Sequence, residues 1–429
     1  MKTNVLAYFL MLSCCVLLIA CERRAEKPTL KPSDAQSQVF DSTMVLVREG
    51  KITTEAQFNA ARNQLSASII GKVTSDSLQG ESLFNYAQLL YWSGNGRKAR
   101  QILEDLRTSR DKQGSAAWKQ LISMEIEENK YTQAEAMMKE YRVAFPPDTN
   151  DLEYLFDQCT TLADRYNEAN KPEAAIRVYM DELKALPSDA PYGSFCLVMG
   201  LASVMMEIGR VDECQAFIEK RVNDLQRALV LHPRSGPPDS VQKREDKTAE
   251  GLENYIETLT FLSSQLHLIG TKAPGLKFLH VYNADSMLTL ERLRGKIVML
   301  DFWTTWCLPC VIGYEEARHI YRDYKDRGLE ILGITSLQGT YRDSEVSEGT
   351  KDKPLDKKRE INLIESYIKK HRITWPCAVS DRSIFDSPYK IKAVPAFVLL
   401  DRTGNIRFIQ SGIGQEKQRR RIIEKLLKS

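Results

Sequence analysis

Apolar and polar positions follow three different grammars along this chain. From Val5 to Ala20 nearly every residue is apolar, behind a short positive start at Lys2. Such a run is short for a membrane-spanning helix, which needs about 20 residues, and it reads as the core of a signal peptide over residues 1–20. Residues 21–38 are polar with two prolines and read as a tether. From about Val39 to Ile269 the apolar positions recur with helical spacing. Leu83, Phe84, Ala87, Leu90 and Tyr91, for example, share one helical face. Pro233 to Asp239 interrupts this pattern as a loop, and a last helix is expected from about Thr248 to Leu268.

Past Gly270 to Gly275 the spacing changes again. Short apolar runs at Ile297 to Leu300, Leu329 to Thr335 and Ala396 to Leu400 are fit for buried strands. The third leads through Asp401-Arg402-Thr403-Gly404, a turn, into a further strand from Asn405 to Gln410. Helical patterns lie between them at Leu308 to Arg327 and Lys357 to Lys370, and a last one runs from Gln415 to Lys428. Strands alternating with helices and ending in a hairpin predict an α/β sheet over residues 270–429, preceded by an all-α domain over residues 39–269. A polar stretch over residues 338–360 reads as a solvated insertion, with partner contact as its functional alternative.

Within the helical part, Gly94, Asn129, Asn170 and Gly209 each follow an apolar run, roughly 35–41 residues apart. Five residues after each comes a small one: Ala99, Ala134, Ala175 and Cys214. Around the third turn, Leu162, Ala163, Tyr166, Ala175, Tyr179 and Pro187 supply large, small, large, small, large and proline positions. This stretch resembles divergent tetratricopeptide-like helical hairpins. An all-α domain of merely similar hairpins accounts for the same pattern.

Composition narrows the function classes. Lys plus Arg is 60 against 57 Asp plus Glu, a net charge of +3, which argues against a dedicated nucleic-acid binder. The apolar leader ends in Leu18-Ile19-Ala20-Cys21, which resembles the lipobox of bacterial lipoproteins. That resemblance implies cleavage before Cys21 and a lipid on its sulfur. The chain would then be anchored to a membrane in the cell envelope, facing the periplasm. Glu22, in place of an aspartate, favours the outer membrane.

The chemistry concentrates at Cys307 and Cys310, a C-x-x-C directly after a strand and at the start of a helix. A thiol there meets unpaired N–H groups and the positive end of the helix dipole, which favour its thiolate. The expected arrangement is an exposed attacking thiol, Cys307, and a buried partner, Cys310, one turn on. No second C-x-x-C or H-x-x-H supplies the rest of a zinc site, and His232, His267, His280, His319 and His371 have no ligand spacing. No metal and no cofactor is expected beyond the cysteine pair.

The segment Asp301-Phe302-Trp303-Thr304-Thr305-Trp306-Cys307-Leu308-Pro309-Cys310 resembles the active-site segment of thioredoxins. Ala273-Pro274 and Leu293-Arg294-Gly295-Lys296 upstream, and Val394-Pro395 downstream, resemble the TlpA/ResA-like branch. The resemblance implies a thioredoxin-like domain over residues 270–429 that exchanges disulfides with protein substrates. Cys307 would be the nucleophile and Cys310 the resolving thiol. Pro395 would be cis, and Val394 would bind substrate backbone. Trp306 would cover the disulfide, and Asp301 would be a buried acid moving a proton to or from Cys310.

The branch also implies the reducing direction and a membrane-bound electron donor. It often keeps a glutamate three residues after the second cysteine. Here that position is Gly313, and Glu315 and Glu316 are expected to point elsewhere. Cys377 reads either as a buried small side chain or as a third redox thiol. Cys159, Cys196 and Cys214 are expected in the helical core. A second function class stays open: a helical-repeat scaffold whose C-terminal domain is a structural or specificity module.

Overall fold

The computed structural model describes residues 30–52, 55–146, 149–186, 191–231, 240–343, 355–413 and 415–429. Cys21, the apolar leader, Pro187, the loop from Pro233 to Asp239 and His232 lie outside these residues. The chain packs as two units, residues 1–169 and 170–429.

The first unit is all-α: α1 (Pro32–Arg48), α2 (Glu55–Ile69), α3 (Gly80–Trp92), α4 (Gly96–Leu106), α5 (Lys112–Glu127), α6 (Tyr131–Ala144) and α7 (Thr149–Glu168). The second unit opens with α8 (Pro172–Ala185), α9 (Pro191–Glu207), α10 (Val211–Leu231) and α11 (Ser240–Leu266). All four turn residues read from the sequence adopt left-handed backbone, with φ of 88° at Gly94, 61° at Asn129, 57° at Asn170 and 83° at Gly209. Glycine and asparagine enter this region at least cost, and it ends a helix by letting the next N–H reach back to an orphan carbonyl. Asn95 N–H, for instance, donates to Leu90 O at 2.8 Å, and Lys130 N–H to Glu125 O at 2.8 Å.

The small residues that follow, Ala99, Ala134, Ala175 and Cys214, are all fully buried. Gly200 of α9 shows how close the packing is, since a Cβ there would lie 2.4 Å from the Tyr179 hydroxyl of α8. One expectation is corrected. Cys159 and Cys214 are buried, but Cys196 is exposed on α9, where Leu197, Val198 and Leu201 supply the buried face instead.

Residues 278–428 form a thioredoxin-like α/β fold. Its strands are β1 (Phe278–Tyr282), β2 (Ile297–Phe302), β3 (Leu329–Ser336), β4 (Cys377–Ser380), β5 (Ala396–Leu400) and β6 (Ile406–Ser411). Helices α12 (Leu308–Tyr324), α13 (Lys357–Lys370) and α14 (Glu416–Lys428) complete it. The sheet order is β1-β4-β3-β2-β5-β6. Strands β2, β3 and β4 run parallel, and β1, β5 and β6 join antiparallel.

Strand β2 is buried at every position, as expected of a central strand covered on both faces. Ile297, Met299 and Trp303 face one core cluster with Cys307, Cys310 and Phe397; Val298, Leu300 and Phe302 face the other. The apolar runs marked neither β4 nor the edge strand β1. Its burial is incomplete and its register slips between Phe278 and His280.

Candidate functional site

Strand β2 delivers the site. Its chain continues past Phe302 with Trp303 N–H donating to Ile334 O of β3 at 3.0 Å, then turns through buried Thr304 and Thr305 into α12. Cys307 is the N-cap of that helix, and its Sγ accepts the N–H of Cys310 at 3.1 Å. Pro309 sits in the first turn, where a missing N–H removes no helical bond. The sulfur at position 307 therefore lies where α12 offers unpaired donors and its positive end.

Cys307 and Cys310 are joined as a disulfide. Against the expectation of an exposed attacker, Cys307 is 2% exposed and Cys310 1%. The reason is the facing loop: Cys307 Sγ lies 3.5 Å from the carbonyl oxygen of Val394. The Val394–Pro395 peptide is cis, and Pro395 O accepts the N–H of Gly412 at 2.8 Å before the chain enters β5. Close to the cysteines in sequence, the apolar side chains of Trp306, Leu308 and Ile312 are exposed. Trp306 lies stacked near the Phe385 ring, centroids 6.4 Å apart.

Beneath the cysteines a single row crosses the whole sheet. Tyr282 pairs with Cys377, Cys377 with Gly333, Gly333 with Asp301, Asp301 with Phe397, and Phe397 with Gln410. Register partners share a face, so Asp301 looks into the same core as Trp303, Cys307 and Cys310. Asp301 is 2% exposed, and this burial pushes its carboxyl up to about 7, with Arg419 pulling the other way. Cys377 is fully buried, its thiol pushed well up by desolvation and by the nearby Asp301 charge. Its Sγ lies 3.7 Å from Trp375 O.

Gly333 is the gap in the row. A Cβ there would stand 2.7 Å from Cys377 Sγ and 2.9 Å from Trp303 Nε1. Above the row lie aromatic rings: Trp303 stacks on Tyr367 at 5.4 Å and meets Tyr314 edge-on at 6.2 Å.

The structure thus brings Asp301, Cys307, Cys310, Val394 and Pro395 together. It places Trp306 on the rim, with its ring against Phe385. Gly313 is buried and faces Ile413, 3.4 Å from where its Cβ would be. Glu315 points away, as expected, toward Arg318 and His319. Glu316 does not: it pairs with Arg419 of α14, 1% exposed, which also donates to Gln410 Oε1 at 2.8 Å and lies 4.3 Å over the Phe397 ring. Sequence reading passed over Gly333 and Arg419 and set Glu316 aside. Arg419 stands in a run of three arginines, but it shares the buried face of α14 with Ile422 and Ile423, three and four residues on. Of the histidines, His371 packs against the rings of Tyr367 and Tyr314, with centroids 4.2 and 5.9 Å apart. Residues 344–354 of the polar insertion lie outside the description, but Glu360 at its end is buried and accepts the N–H of Gln338 at 2.6 Å and of Gly339 at 3.0 Å.

The Redoxin family model matches residues 268–427. Protein DipZ of Mycobacterium bovis is 23% identical over 240 residues, covering 54% of this chain and 31% of DipZ. The chain thus spans about a third of that relative. The thiol-disulfide oxidoreductase ResA of Oceanobacillus iheyensis is 26% identical over 151 residues, covering 35% of this chain and 68% of ResA. Among solved structures, StoA from Bacillus subtilis is 16% identical, with 35% of this chain and 98% of StoA covered and a TM-score of 0.27.

Proposed function

We propose that this chain, whose residues 268–427 are a TlpA/ResA-like redoxin domain, reduces protein disulfides in the cell envelope through Cys307 and Cys310. The observation that carries the reading is the cysteine pair at the N-terminus of α12, facing Val394 across 3.5 Å. In the reduced protein the Cys307 thiolate attacks a substrate disulfide. One Cys307–substrate S–S bond forms, and the first substrate sulfur leaves and takes a proton. Cys310 then loses its proton to Asp301 and attacks Cys307 Sγ. The second substrate thiol is released, and two electrons have passed to the substrate.

Each neighbour has a task in this scheme. The main chain of Val394 pairs with the substrate's backbone, and cis Pro395 fixes its approach. The exposed Trp306, Leu308 and Ile312 offer an apolar rim for an extended or partly unfolded peptide. Asp301, with its carboxyl near 7, can hold or release a proton at neutral pH. A lipid on Cys21 would tether the enzyme to the envelope membrane, outer membrane favoured, with a membrane-bound donor re-reducing the pair. The helical hairpins would choose substrates.

The test is a redox titration of the full chain, read by Trp303 and Trp306 fluorescence in thiol buffers. The reductase reading expects a two-electron transition near or below about −230 mV, whereas a value near −120 mV would mark an oxidant. Absence of any two-electron transition would hand the function to the helical scaffold.

A further inference from the structure

We infer that Arg419 of α14 is a positioning residue that sets the charge of Asp301 during the resolving step, with Glu316 of α12 as its counterweight. This rests on the disulfide-reduction reading above. The geometry starts from the register row. Phe397 of β5 lies directly beside Asp301, and the Arg419 guanidinium stacks 4.3 Å over that ring. Gln410, the next residue of the row, accepts from Arg419 Nη1 at 2.8 Å and holds the guanidinium at this depth. Its third contact is Glu316, two turns along the helix that carries both cysteines. Arg419 is therefore a buried cation fixed from three elements, and its charge acts on Asp301.

Among the described residues, the other groups that interact with Asp301 are not cationic. From α12 come the cysteines and Tyr314, whose hydroxyl burial pushes up and which interacts with Tyr367 of α13. From β4 comes the thiol of Cys377. Burial alone drives Asp301 toward its neutral form, in which it cannot take the Cys310 proton. Arg419 opposes that drive. Glu316 divides the cation's field and limits the opposition. The pair thus adjusts how much of Asp301 is available as a base near neutral pH. In the step itself the Cys310 S–H breaks, its proton passes to an Asp301 oxygen, and the sulfur's electron pair forms the bond to Cys307 Sγ, while the Cys307–substrate S–S bond breaks and the substrate sulfur leaves with that bond's electron pair and takes a proton from solvent.

Opposite shifts from the two partners distinguish this from mere packing. The Asp301 carboxyl is followed in the full chain by carbon NMR of labelled aspartate, assigned by its loss in Asp301→Asn. Arg419→Gln should raise the midpoint by about one pH unit, Arg419→Lys should restore at least half of that, and Glu316→Gln should lower it. The pH profile of single-turnover release from the Cys307 mixed disulfide should move by the same amounts. An unchanged midpoint in Arg419→Gln overturns the inference, as does Glu316→Gln moving it upward. Should Arg419→Gln fail to fold, Glu316→Gln decides alone, and its null result counts against. A wild-type protein that reduces no disulfide, yet shows both shifts, would sink the functional reading and leave the coupling standing.

Discussion

Both carboxylate oxygens of Glu207, the last residue of α9, accept from Arg421 of α14, Oε1 from Nε at 2.7 Å and Oε2 from Nη2 at 3.0 Å. One turn earlier, Ser203 Oγ accepts from Gln418 Nε2 at 2.8 Å, and Met206 packs against the core around the cysteines. The final helix of the redox domain is thus built into the helices before it. This explains why residues 170–429 pack as one unit.

The Glu207 side chain is 2% exposed, so removing its partner strands a buried carboxylate. Arg421→Met should lower stability by about 2 kcal/mol, part of the cost being offset by Lys425 nearby. Glu207→Gln, which keeps a hydrogen-bonding group, should cost less. Denaturant midpoints of the two variants check this, and equal losses would show that the charge is irrelevant.

Cys310→Ser should trap the reaction halfway. Attack by Cys307 needs no help from position 310, but release does. Incubated with a protein disulfide, the variant should accumulate a covalent adduct on Cys307, visible as a mass increase that dithiothreitol reverses. Cys307→Ser should form none. Adducts in neither variant would favour a scaffold function.

Much of this was legible because local signals agreed with the fold. Gly94, Asn129, Asn170 and Gly209 announce helix ends through their own backbone preference, and the small residue that follows each reports close helix packing. The cysteine pair declares itself by spacing between an apolar run and a helical one. What stayed hidden depends on partners far apart in sequence. The row from Cys377 through Gly333 to Asp301 exists only once three strands are in register. Arg419 and Glu316 are 103 residues apart, and each lies in a charged stretch whose default is solvent. The burial of Cys307 comes from the Val394 loop, which no property of the motif itself encodes.

Gly333 tests the row directly. Its backbone has no left-handed requirement, so the effect of a methyl group there is purely steric. With Cys377 Sγ at 2.7 Å and Trp303 Nε1 at 2.9 Å from the new Cβ, Gly333→Ala should cost about 1–3 kcal/mol. Adding Cys377→Ala removes the nearer obstacle and should recover part of the loss. A strictly additive pair of losses, measured by a double-mutant cycle, would refute the contact.

The burial of Asp301 costs the protein stability. Its carboxyl is pushed from 3.8 up to about 7, so between these values the folded state holds a proton that the unfolded state has released. Stability must then fall as pH rises through that window. Asp301→Asn removes the penalty. Its gain over wild type should be near zero below pH 4, grow with pH, and level off above pH 7 at no more than about 4 kcal/mol. The same variant should slow release from the Cys307 mixed disulfide, because Cys310 loses its proton acceptor. Chemical denaturation at pH 4, 6 and 8 gives the curve. A gain that is flat with pH would mean that Asp301 is not the group titrating. A gain that rises without any slowing of release would leave Asp301 buried but idle in the reaction.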